Sequence, residues 1–127
     1  MSDRGVRPPA LKTLLIAVVD RVQNLAGPSG LYEAAQRYRS RRDFANAEEC
    51  YAKAAKLYAK KHGSRDPRTV LSLAGQAYCL LKLSRTSEGR RIYEKALDAK
   101  IANADNSRPT AVELRARVEE ARHGEAS

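Results

Sequence analysis

The chain repeats itself at a fixed interval, and this constrains its fold more than any other property. Tyr51 and Tyr93 stand 42 residues apart, as do Lys53 and Lys95, Ala54 and Ala96, and Pro67 and Pro109. The segment AEECYAKAAKLY (47–58) lies over GRRIYEKALDAK (89–100), and RDPRTV (65–70) lies over NSRPTAV (106–112) with one residue of slack. Such self-similarity means that one small unit is used more than once, each copy too small to bury its apolar face alone. Stacked units of this kind present extended surfaces, so the chain is expected to bind or scaffold rather than catalyse.

The unit reads as helical. Ala, Leu, Lys, Arg and Glu dominate, and Val and Ile are too scattered to alternate along strands. With 127 residues, 43% of them hydrophobic, the chain has enough apolar surface for one core. It has one Phe and no Trp, so six Tyr and the many Ala carry the packing.

Start and stop signals divide the chain further. Residues 1–8 read as a loose polar arm. Over 9–26, Leu11, Leu14, Leu15, Val18, Val22 and Leu25 fall on one helical face. Ile16 and Val19 widen that face beyond what one partner helix covers, which points to burial on several sides or to a contact with another chain, as a homo- or hetero-oligomer. The GPSG run at 27–30 stops this helix, and Ser29 caps the next over 31–41. After Arg42-Asp43, a helix over 44–61 ends at Gly63 with Lys60, Lys61 and His62 in its last turn, where the helix dipole favours cations. Asp66-Pro67 opens a helix over 67–83, and another spans 87–102. Pro109 then opens a last helix, placed within 108–122, and 123–127 reads as a frayed tail. The expected architecture is all-α: a single domain over 9–122 made of two antiparallel helix pairs, 31–61 and 67–102, between an N-terminal and a C-terminal capping helix.

The net charge is +9, and Lys and Arg outnumber Asp and Glu nine to five over 31–66 and eleven to eight over 67–127. A basic folded surface attracts acidic partners. Its densest part is Arg37, Arg39, Arg41 and Arg42, whose guanidinium forks suit carboxylates and phosphates. Cys50 and Cys79 form no CxxC pair and two His complete no zinc spacing, so neither a metal nor a cofactor is expected, and the thiols read as reduced core residues of a cytoplasmic protein. The apolar run Leu14–Val19 is far shorter than the ~20 residues that span a bilayer, so no membrane insertion is expected. No catalytic set emerges: His62 and His123 sit beside no nucleophile, and Glu48-Glu49 and Glu119-Glu120 read as solvated helix pairs.

These residues resemble the tetratricopeptide repeat. Leu31, Ala34, Ala35 and Tyr38 look like its first helix, and Ala47, Tyr51 and Ala54 like its second. Leu73, Ala77, Leu80, Gly89, Tyr93 and Ala96 give the second copy. The 42-residue period is similar to the kinesin light chain type of repeat. Two departures stand out: Gln76 replaces a large apolar residue, and Gly89 replaces Ala. The resemblance implies a concave groove lined by first helices, here Tyr32, Gln36, Arg39, Ser40, Ala74, Tyr78, Leu81 and Lys82. Rings with cationic ends would suit an extended acidic peptide. The family's Lys/Asn carboxylate clamp is absent, since its positions hold Tyr32, Gln36, Gly75, Glu113 and Arg117. The expected function is a small adaptor or structural subunit for an acidic protein partner, for example at a cytoskeletal surface. The alternative is an RNA-binding or ribonucleoprotein assembly factor using the basic surface.

Overall fold

The computed structural model describes residues 27–126 apart from residue 105. The expected arm at 1–8 and helix at 9–26, with Ile16 and Val19, lie outside the described residues. Within them are five helices and no strand: α1 (27–40), α2 (Phe44–His62), α3 (Pro67–Lys82), α4 (Thr86–Asn103) and α5 (Ala111–Ala126).

Local chemistry sets most of these boundaries. α1 is already helical at residue 27, the first described, so Ser29 lies within the helix rather than at its cap; Gly27 takes φ +77°. α1 ends at 40 in a turn closed by Arg42 at φ 61° and by the Asp43 N–H, which donates to the Tyr38 carbonyl at 2.9 Å. The Asp43 carboxylate then caps α2, accepting from the Asn46 backbone N–H at 3.3 Å. Gly63 stops α2 at φ 102°, with its N–H on the Ala59 carbonyl and three basic residues in the last turn. Asp66 caps α3 by accepting from the Arg68 N–H at 2.9 Å, and Pro67 is its first residue.

The last helix departs most from expectation. It starts at Ala111, not at Pro109, because Thr110 and Glu113 form a reciprocal capping box. Thr110 Oγ1 accepts from the Glu113 N–H and the Glu113 carboxylate accepts from the Thr110 N–H, each at 3.2 Å. The helix also runs on to Ala126 instead of fraying after Arg122.

The helices pack in chain order, α2 on α3, α3 on α4 and α4 on α5. Around the first pair, Leu31, Ala34, Ala35, Ala47, Tyr51 and Ala54 are buried; the second pair and α5 share a cluster with Val70, Leu73, Ala77, Tyr93, Ala96, Leu114 and Val118. Cys50 and Cys79 are buried and form no disulfide with each other, and burial raises the Cys79 thiol to about 11. It is therefore a packed side chain and not an activated nucleophile.

Both departures from the repeat pattern have a physical reason. A Cβ on Gly89 would lie 2.9 Å from Leu81 Cδ2 and 3.1 Å from the Ala77 carbonyl oxygen, so α3 and α4 meet too closely for alanine without movement. Gln76 is polar because it has a partner 28 residues away: its Nε2 donates to Glu48 Oε2 at 2.9 Å. Glu48 is correspondingly only 13% exposed in its side chain, with Arg85 4.0 Å away, so it is a bridging group rather than a solvated one.

Candidate functional site

The groove positions sort onto α1 and α3, with Tyr78 at their centre. Tyr78 is half-buried on α3. The Arg39 guanidinium lies over its ring at 4.0 Å from the centroid, and Lys82 Nζ reaches the same ring at 5.5 Å. Phe44 meets it edge-on, with ring centres 6.1 Å apart. Two cations thus reach one ring, each such contact contributing about 0.5–1 kcal/mol at an exposed site.

Tyr78 is a wall of two clefts. One, of about 370 Å³, is bounded by Gln36, Arg39, Ser40, Arg42 and Tyr78, and reaches in to Phe44 and Tyr51. The other, of about 310 Å³, runs from Tyr78, Leu81 and Lys82 across to Tyr93 and to Arg117 and Glu120 on α5. The groove thus spans α1, α3 and α5. Burial opposes the charge of Arg39, but the neighbouring Tyr51 and Tyr78 side chains outweigh that and hold its pKa above the usual guanidinium value. Burial raises the Tyr51 hydroxyl, against the pull of Arg39, and pushes Tyr93 up to about 12, so both phenols are neutral donors at physiological pH.

Not every groove position converges on these clefts. Gln36, Arg39, Ser40, Tyr78, Leu81 and Lys82 line them. Tyr32 instead turns to Tyr51, with ring centres 5.6 Å apart, and borders a separate cavity of about 90 Å³ beside Tyr58, Arg68 and Leu71. Ala74 packs against the core of the second pair. Of the basic cluster, Arg39 and Arg42 face the first cleft, whereas Arg37 and Arg41 are exposed without lining it. Ile16 and Val19 lie outside the described residues.

The first-helix rule does not place Phe44, Tyr51 or Tyr93 at the groove, and of the α5 wall it reaches only the clamp position Arg117. The α5 wall carried a signal. Gln36, Tyr78 and Glu120 are successive 42-residue steps, as are Ser40, Lys82 and Gly124, so applying the period once more finds it. Among the described residues no cluster of His, Cys, Asp or Glu could hold a metal, and no helix is long and apolar enough to cross a membrane.

Helix pairs stacked in chain order, with a cleft along their first helices, define an α-helical repeat scaffold. The tetratricopeptide repeat family model matches residues 28–102, more than half of the chain, and the protein belongs to the tetratricopeptide repeat family. Members of that family are protein–protein interaction modules and typically non-catalytic scaffolds. No curated protein and no solved structure matches the chain.

Proposed function

We propose that this protein is a small adaptor or structural subunit that holds an extended acidic segment of a partner protein across α1, α3 and α5. The observation that carries this reading is Tyr78, a ring shared by two clefts and flanked by Arg39 and Lys82. An extended peptide lays side chains into successive pockets, and amphipathic rings with cationic rims favour one bearing carboxylates. Arg42 extends the positive rim at the α1 end, while at the α5 end Arg117 is paired with Glu120. An acidic cytoskeletal tail has this chemistry, and the protein would then work on a cytoskeletal surface in the cytoplasm.

The test is capture of the tagged full chain from its native cells at moderate salt, with and without nuclease, beside an Arg39→Glu/Lys82→Glu variant. A stoichiometric, nuclease-resistant protein lost from the variant is the expected result. Exposed Arg37 and Arg41 give a second reading, an RNA platform, some support. That reading requires nuclease-sensitive capture and affinity that falls steeply with salt. Nuclease-sensitive capture, or a protein partner retained by the variant, would overturn the first reading.

A further inference from the structure

The opposite face of α3 bears a different cleft. At about 100° per residue, Thr69, Leu73 and Gln76 lie roughly half a turn around α3 from Tyr78, Leu81 and Lys82. They floor a space of about 350 Å³ between α2 and α4. Both of those helices pack on α3, which leaves a furrow between them. Its apolar surface comes from Ala52 and Ala55 of α2, Leu73 below and Ile92 of α4, and Lys56 and Lys95 stand on its two sides.

The imperfection of the repeat is what keeps this furrow open. One period on from Ala55 and Ala59, α4 carries Leu97 and Ile101. A faithful copy would place those larger side chains in α2, where they would occupy the space that two alanines leave. The floor also offers apolar surface rather than free donors. Thr69 Oγ1 donates to the Gly63 carbonyl at 2.9 Å, and Gln76 Nε2 is committed to Glu48. Lys56 and Lys95 are exposed and engage no group among the described residues.

An apolar furrow between two uncommitted cations matches an aliphatic side chain with carboxylates beside it. The chain itself supplies a poor occupant. A second copy carries net charge +9, and the segment 1–26 has Arg4, Arg7, Lys12 and Arg21 against Asp3 and Asp20. We propose that this cleft is a second docking site, which takes from a partner protein a segment bearing an aliphatic side chain flanked by carboxylates. The aliphatic group seats against Ala52, Ala55, Leu73 and Ile92, and the carboxylates meet Lys56 and Lys95. This proposal stands apart from the Tyr78 groove, which lies on the other face.

The probe is a fluorescein-labelled synthetic peptide with two leucines, each flanked by glutamates, titrated by anisotropy against the full chain. Lys56→Glu/Lys95→Glu should weaken binding at least tenfold. Ala52→Trp, which fills the furrow from a half-buried position, should do the same with helicity unchanged. Lys61→Glu/Arg115→Glu, an equal change of charge at exposed positions that line none of these clefts, should change affinity less than twofold. The proposal is overturned if the peptide does not bind, if the Lys61/Arg115 variant weakens binding as much as the Lys56/Lys95 variant, or if Ala52→Trp is without effect, the last placing the peptide in the Tyr78 groove. Binding of dodecanoate in place of the peptide would likewise overturn it and assign the furrow to a lipid.

Discussion

The two seams of the molecule, α2 against α3 and α4 against α5, use equivalent positions and close them differently. At the first, the buried Tyr51 ring lies against Gly75, where a Cβ would sit 2.5 Å from a ring carbon. One period on, Tyr93 is equally buried, but the position equivalent to Gly75 is Arg117, and the two line an open cleft. The helix pairs show the same contrast inside. Ala47 fits the first pair fully buried, whereas at its equivalent, Gly89, a Cβ would meet the tip of Leu81 at 2.9 Å. The residue equivalent to Leu81 is Arg39, which turns outward over Tyr78. One repeat pattern thus yields a first seam closed by a ring on a glycine and a second, looser one without that contact, while both rings border the groove.

The contrast can be broken at four points. The largest effect belongs to Tyr51→Ala, which should cost about 3–5 kcal/mol in urea denaturation, since it empties the first seam. A loss below about 1 kcal/mol would mean that the ring does not hold that seam. Gly75→Ala comes next. It gains about 1 kcal/mol of helix propensity but forces Tyr51 to move, an overpacking cost of about 1–3 kcal/mol. The net should be destabilising, while Arg117→Ala at the equivalent position should stay within about 0.5 kcal/mol. Equal effects would erase the distinction between the seams.

Gly89→Ala should fall close to zero, within about 1 kcal/mol of wild type, because the same propensity gain meets a contact with the movable tip of Leu81. A larger loss would show that the Ala77 carbonyl, 3.1 Å away, is the true limit.

The smallest effect is on the acid limb of stability. The Arg68 side chain holds Asp66 down from its ordinary 3.8 to about 2, and Arg108 with Thr110 holds Glu113 down from 4.5 to about 2. Both carboxyls are lower in the folded state. Their contribution is therefore complete above the ordinary carboxyl range and is lost as pH falls through about 2. Asp66→Asn and Glu113→Gln should each flatten the stability profile between those limits, and a profile unchanged in both would remove the caps from the account.

What was legible in the sequence follows from how far apart the deciding residues stand. Asp66-Pro67 and Gly63 announce the start of α3 and the end of α2 because caps act within a few residues. Pro109 misleads in the same way that Asp66-Pro67 succeeds: the local signal is real, but the Thr110–Glu113 box, which begins at the next residue, sets the start of α5 at Ala111. Glu48 looked solvated because its partner Gln76 lies in another helix. In the groove, the period located Tyr78, Leu81 and Lys82, yet spacing alone does not give the direction of a ring, and Tyr32 turned to Tyr51. Phe44 reaches the first cleft from a second helix, which a rule based on first helices does not find.

The packing of each helix on its chain neighbours has a kinetic consequence. When contacts are local in sequence, little chain entropy is spent before they form, and folding is fast. Structure can begin at either helix pair and spread outward one interface at a time, so stability adds up along a line. Opening should then follow the same line in reverse. The α5 end, joined through the looser interface, should exchange its amide hydrogens first, while α2 and α3 keep theirs longest.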